Sequence, residues 1–139
     1  MFLVGGKYAL PIDSTVYQMK FYVLYNGQGS TRVGIYAHDA VNNSPSTLIV
    51  EGISEVVLDG AGKWYTASLP PTTLTAGTYW LAMMGRPINI GVDNGPGLPW
   101  AAGEGSTRWM GTTWGAMPSS FGGSSYTSYP GMVGVLCHP

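Results

Sequence analysis

The chain holds 139 residues, of which 9% are charged, and its formal net charge is −1; an ordinary globular domain carries about 25% charged residues. Low charge combined with 12% aromatics excludes a disordered chain, which has few aromatics and a high net charge. The near-neutral balance, without a basic run, argues against a nucleic-acid surface, and no apolar stretch approaches the roughly 18 residues of a membrane helix.

The length suits a single domain, 1–139, with a core of its own. The 21 glycines and 10 prolines predict many short strands joined by tight turns. The start, MFLVGGKYALP, lacks the basic opening and full apolar core of a secretory signal. Met1 then reads as a start inside a longer secreted protein, or as the start of a chain made in a cytoplasm and delivered outside by lysis.

In chain order, residues 2–4 and 7–10 form two short strand segments with a bend at Gly5-Gly6, and Pro11 ends the second. Residues 16–25 are the longest alternating run: Tyr17, Met19, Phe21, Val23 and Tyr25 share an apolar face, and Val16, Gln18, Lys20, Tyr22 and Leu24 a mixed one. Asn26-Gly27-Gln28-Gly29 predicts a hairpin turn, because Asn and Gly accept positive φ. Residues 31–38 return with Val33, Ile35 and Ala37 inward, and 39–46 (DAVNNSPS) form a loop. Residues 47–51 and 53–58 are strands separated at Gly52 by a bulge or corner.

The hairpin expected at 62–85 is the organising stretch. Residues 64–69 place Tyr65, Ala67 and Leu69 on one face and Trp64, Thr66 and Ser68 on the other. Pro70-Pro71 stops that strand, since proline has no N–H for a ladder. Residues 78–84 follow, with Tyr79, Leu81 and Met83 opposing Thr78, Trp80, Ala82 and Met84. Both faces are apolar, as in a central strand. Residues 88–92 give a further strand. From 93 to 131 the chain turns to Gly, Ser, Thr, Pro and Trp, with one strand at 107–110, and 132–137 closes the sheet. Such a long irregular stretch marks function or flexibility. No window carries the apolar spacing of an ordinary helix.

The order of these pieces resembles a diverse group of jelly-roll β-sandwich modules. The resemblance rests on VGIYAHD (33–39), a loop with Pro45 before Leu48, KWYTASL (63–69), LTAGTYWLAMM (74–84) and AMPSSFGG (116–123), and it spans about residues 7 to 136. Such modules occur in secreted surface proteins, beside glycoside hydrolases, and in phage tail or capsid-associated proteins. The resemblance implies an all-β, antiparallel two-sheet sandwich of about eight strands and a role in binding or attachment, extracellular or on a virion. Its best motif, AGTYWLA, is architectural, and it carries over no ligand residues.

The candidate ligand set is therefore read from the residues. Trp100, Trp109, Trp114, Tyr126 and Tyr129 fall in the Gly/Ser-rich third together with Asp93, Asn94, Glu104 and Arg108. Sugars stack their C–H faces on aromatic rings, while Asp, Asn and Arg bond hydroxyls. Each ring either binds a glycan or roofs the core, with Trp100 and Trp114 favoured as binders because they lie in loops. Trp109 joins them in stacking, and Arg108, Asp93 and Asn94 orient the ligand.

Asp39, Asp59 and Asp93 stand at strand ends and could join an oxygen shell for Ca²⁺, although turns explain isolated aspartates better. His38, Cys137 and His138 are too few for zinc. Glu51 and Glu55 are broken apart by Gly52, no GxSxG occurs, and His38 has no nucleophile partner, so no enzyme is expected. Asn42-Asn43-Ser44 matches a glycosylation sequon, and a turn accounts for it equally. Cys137, the sole cysteine, is either a small buried residue or an intermolecular bridge.

Tyr22, Leu24, Tyr36 and Trp80 lie either on outer sheet faces as an apolar patch or inside a strand buried on both sides. A surface this poor in charge favours self-association. The leading expectation is thus a non-catalytic carbohydrate-binding module, and the rival is a virion or surface-assembly subunit that forms a trimer or larger oligomer.

Overall fold

The computed structural model describes residues 2–25, 28–60, 62–86, 91–93, 107–121, 125–127 and 134–137. These residues form two antiparallel sheets and no helix. The larger sheet contains β1 (Phe2–Leu10), β3 (Gln28–Asp39), β4 (Ser44–Glu51), β5 (Val56–Asp59), β7 (Gly77–Arg86), β9 (Thr107–Gly111) and β10 (Ser125–Thr127). Its order is β10-β9-β1-β7-β3-β4, with β5 on β3 beyond the end of β4, and it curls into a half-barrel. The smaller sheet is built on β2 (Ser14–Tyr25), with β6 (Lys63–Leu74) along one edge. Along the other edge β11 (Gly134–Cys137) and β8 (Gly91–Asp93) lie end to end.

Val16, Met19, Phe21 and Val23 of β2 and Ala67, Leu69 and Leu74 of β6 pack with Val33, Ile35, Leu58, Leu81 and Met83 from the larger sheet in one buried cluster. The alternation of β6 and β7 is therefore realised as expected, and β7 is central, between β1 and β3. Burial at this scale, roughly 1.5–3 kcal/mol per large side chain, is the main term holding the sheets together.

Several expectations are corrected. The link at 26–27 is not a hairpin, because β2 and β3 belong to different sheets, and neither is the link between β6 and β7. Met19, Phe21 and Val23 must meet Val33 and Ile35 within one core, so packing overrides the pairing that the turn residues favour. Gly5-Gly6 does not bend β1, which runs unbroken because both glycines pair on both sides, with β7 and β9. Pro70-Pro71 does not end β6. The register slips there, with Tyr17 alone opposite Leu69, Pro70 and Pro71, and among the described residues β6 pairs with β2 alone, so the missing N–H groups cost no described ladder bond.

The same irregularity changes the alternation of β2: Val16 is buried and Tyr17 is exposed, the reverse of the sequence expectation. The expected loop at 39–46 shrinks to the turn 40–43. Asp39 Oδ1 accepts from the N–H groups of Val41 and Asn42, and Asn43 takes a φ of 49°. Gly52 is a corner, as expected, but the next strand begins at Val56 rather than Ile53. The Ile53 N–H instead crosses to the Ser68 carbonyl of the smaller sheet at 2.9 Å.

Candidate functional site

Two surfaces bear on binding. The first lies on the face of the larger sheet turned away from the two-sheet core, where the 112–121 segment forms a roof. One register row crosses the sheet as Tyr126, Arg108, Gly5, Ala82, Gly34 and Glu51. Its middle three residues are small, and they leave a trough. A Cβ at Gly5 would lie 3.4 Å from the Phe121 ring, and one at Gly34 would lie 3.2 Å from Met117 Cε. Met117 and Phe121 fill this trough and pack with Leu3, Tyr36, Trp80, Ala82 and Met84 in a second buried cluster.

Backbone bonds fix the roof. The Tyr36 hydroxyl donates to the Pro118 carbonyl at 2.7 Å, and Glu51 Oε2 accepts from the Met117 N–H at 2.6 Å. The Leu48 N–H donates to Ser119 O and the Phe121 N–H to Ser46 O, which covers the outer edge of β4. Tyr36 and Trp80 are 0% exposed. They do face away from the two-sheet core, but under the roof, so they form no outer patch. Burial first, then the Glu51 charge, holds the Tyr36 phenol well above the ordinary range. The Trp80 indole N–H donates to His38 Nδ1 at 2.9 Å, which places the proton of the neutral imidazole on Nε2. Burial, then the Lys7 ammonium, lowers the His38 pKa, and Asp39 opposes them.

Of the predicted ligand residues, Trp100, Asn94 and Tyr129 lie outside the described residues, as do Glu104 and His138. Trp114 is half-buried in the roof against the second cluster, with the Arg86 guanidinium 4.7 Å from its ring centroid. Arg108 and Trp109 are neighbours on β9, and Tyr126 stands opposite Arg108. Arg108 Nη2 donates to the carbonyls of Asn42 and Asn43, both at 3.1 Å, so it clamps the β3–β4 turn. Asp93 belongs to the other sheet, opposite Tyr22. The described members of the set are therefore spread over two sheets and a roof rather than gathered in one place.

The calcium candidates are engaged elsewhere. Asp39 caps its turn and accepts from Asn42 Nδ2, and these bonds hold its carboxyl below the usual range. The same bond explains the sequon as a turn. Asp59 pairs with Lys63 and bonds the Tyr65 hydroxyl, which lowers it likewise. Asp93 is placed only by its strand. Among the described residues no group of three or more His, Cys, Asp or Glu is arranged to hold a metal.

The second surface is the outer face of the smaller sheet. Register pairs Tyr22 with Trp64, Lys20 with Thr66 and Gln18 with Ser68. Directly opposed residues share a face, and this one is opposite to Met19, Phe21 and Ala67, so it points to solvent. Trp64 is 37% exposed and Tyr22 half-buried, and their rings meet edge to face at 5.6 Å. Asp93 continues the aromatic row on β8. Among the described residues the polar side chains of Gln18, Lys20, Thr66 and Ser68 make no hydrogen bond or ion pair. Sequence alternation had put Trp64, Thr66 and Ser68 on one face, and Gln18, Lys20 and Tyr22 on another. Only strand pairing shows that these are the same face.

No family model, curated protein or solved structure matches this chain.

Proposed function

We propose that the chain is a jelly-roll β-sandwich binding module, non-catalytic and displayed outside a cell or on a virion, that recognises carbohydrate. The core shared by both sheets and the repeated passage of the chain from one sheet to the other support the sandwich. The observation that carries the function is the Tyr22–Trp64 pair on a sheet face whose neighbouring polar groups have no described protein partner. Flat rings take the C–H face of a sugar, and Gln18, Lys20, Thr66 and Ser68 offer donors and acceptors for its hydroxyls. A sheet holds these groups at fixed spacing, about 4.8 Å across strands and about 6.8 Å between rows, so the site is ordered before ligand arrives and little entropy is lost on binding.

A glycan panel with the wild-type chain and Trp64→Ala tests this reading. The substitution removes a partly exposed ring and its contact with Tyr22, so stability falls by about 0.5–1.5 kcal/mol and the chain stays folded, while glycan binding falls at least tenfold. Full binding by the variant refutes the assignment. The rival, a self-associating assembly subunit, is favoured by the exposed apolar side chains Val41, Ile53 and Val57. A concentration-independent monomer in light scattering removes it.

A further inference from the structure

The open end of the roofed face holds a second, chemically different arrangement. Arg86 is exposed on β7, and its guanidinium lies over the Trp114 ring. Arg32 stands opposite Met84 on β3, and Arg86 stands opposite Ser30, so the two arginines are diagonal neighbours on adjacent strands. Met84 packs in the roofed cluster, which puts both arginines on the roofed side of the sheet. Diagonal neighbours are roughly 7–8 Å apart, within joint reach of one small group. Neither guanidinium has a hydrogen bond or an ion pair among the described residues. Glu51, opposite Gly34, is engaged, since its Oε2 accepts from the Met117 N–H; Glu55, one residue beyond the Thr31–Val56 pair, makes no ion pair among the described residues.

Stacking on an indole holds a guanidinium flat and leaves its in-plane N–H donors free. Two like charges on one sheet face repel, and an anion between them relieves that repulsion. We propose that Arg32, Arg86 and Trp114 form an oxyanion subsite that takes the carboxylate of an acidic sugar. The planar fork matches a carboxylate with two parallel bonds. Two cations suit a ligand whose charges are separated by neutral rings; a nucleic-acid backbone needs a denser basic surface. This inference does not rest on the Trp64 face, which lies on the other sheet.

Isothermal titration of the full chain with an oligo-uronate, its methyl ester, and sodium acetate tests it. The oligo-uronate binds, and the ester and acetate bind at least about tenfold more weakly. Arg86→Ala and Arg32→Ala each reduce oligo-uronate binding at least about tenfold, as expected for loss of a charge-assisted pair, with unfolding midpoints unchanged. Arg86→Lys keeps the charge but loses the fork, and binding falls severalfold. Trp64→Ala keeps the wild-type ratio of affinities for the oligo-uronate and its methyl ester, because that preference is set on the other sheet. Equal affinity for acid and ester shows that no charge is read and overturns the proposal. Acetate binding as tightly as the oligo-uronate overturns the assignment to a sugar. Unchanged binding in either alanine variant overturns the site.

Discussion

Alanine at two glycines of the same register row should destabilise at Gly34 and not at Gly5. Neither Gly5 nor Gly34 has a left-handed φ, so backbone strain does not enter. At Gly34 a new Cβ meets Leu48 Cδ1 at 3.0 Å, Met117 Cε at 3.2 Å and Val50 O at 3.2 Å. The first two atoms are flexible tips and can withdraw. The third is backbone of β4, fixed by its ladder to β3. Overpacking of this kind costs about 1–3 kcal/mol, and replacing glycine returns about 0.4–1 kcal/mol by restricting the unfolded chain. Gly34→Ala should therefore destabilise by about 1–2 kcal/mol. At Gly5 the nearest atoms are Phe121 Cε2 at 3.4 Å and Ala82 Cβ at 3.6 Å, which is ordinary contact. Gly5→Ala should be neutral or stabilising by about 0.5 kcal/mol. Urea unfolding reads both as midpoint shifts at constant slope. If Gly34→Ala matches wild type, or both substitutions destabilise alike, the trough is not what seats Met117 and Phe121, and the account of the roof fails.

Phe121→Ala should cost about 3–5 kcal/mol, because the ring is 1% exposed and meets Tyr36 edge to face at 5.3 Å; denaturant unfolding measures it, and near-UV circular dichroism should report the loosened Tyr36 and Trp80. His38 makes stability depend on pH. Its folded pKa lies below the ordinary imidazole value, so the unfolded chain binds the proton more readily, and stability is complete above about pH 6.5 and falls as pH drops through the window below it. Protonation also takes Nδ1 from the Trp80 N–H. A His38→Gln variant should lose this slope, which thermal unfolding between pH 7.5 and 4.5 will show.

The local pattern of the chain was legible where burial is decided within a strand. The alternation of Tyr65, Ala67 and Leu69, and of Leu81 and Met83 against Trp80, Ala82 and Met84, follows from a side-chain period of two. A strand apolar on both faces had to be central, and β7 is. The turns misled. Asn26-Gly27 favours positive φ whichever strands it joins, so it could not say that β2 and β3 lie in different sheets. Pro70-Pro71 reads as a stop in isolation, but a strand paired on one edge and slipped in register carries it.

The sequence by itself determined the all-β class, the faces of β6 and β7 and of β2 beyond its register slip, and the absence of the usual catalytic motifs, because each follows from residue chemistry within a few positions. Tertiary structure alone decided which faces are open. Tyr36 and Trp80 are hidden because a segment roughly eighty residues beyond the one and forty beyond the other lays Met117 and Phe121 over them. Tyr22 and Trp64 stand together because β2 pairs with β6, and Arg32 and Arg86 because β3 pairs with β7. Each of these is a contact between residues far apart in the chain, set by the mutual burial of apolar faces, which no local spacing encodes.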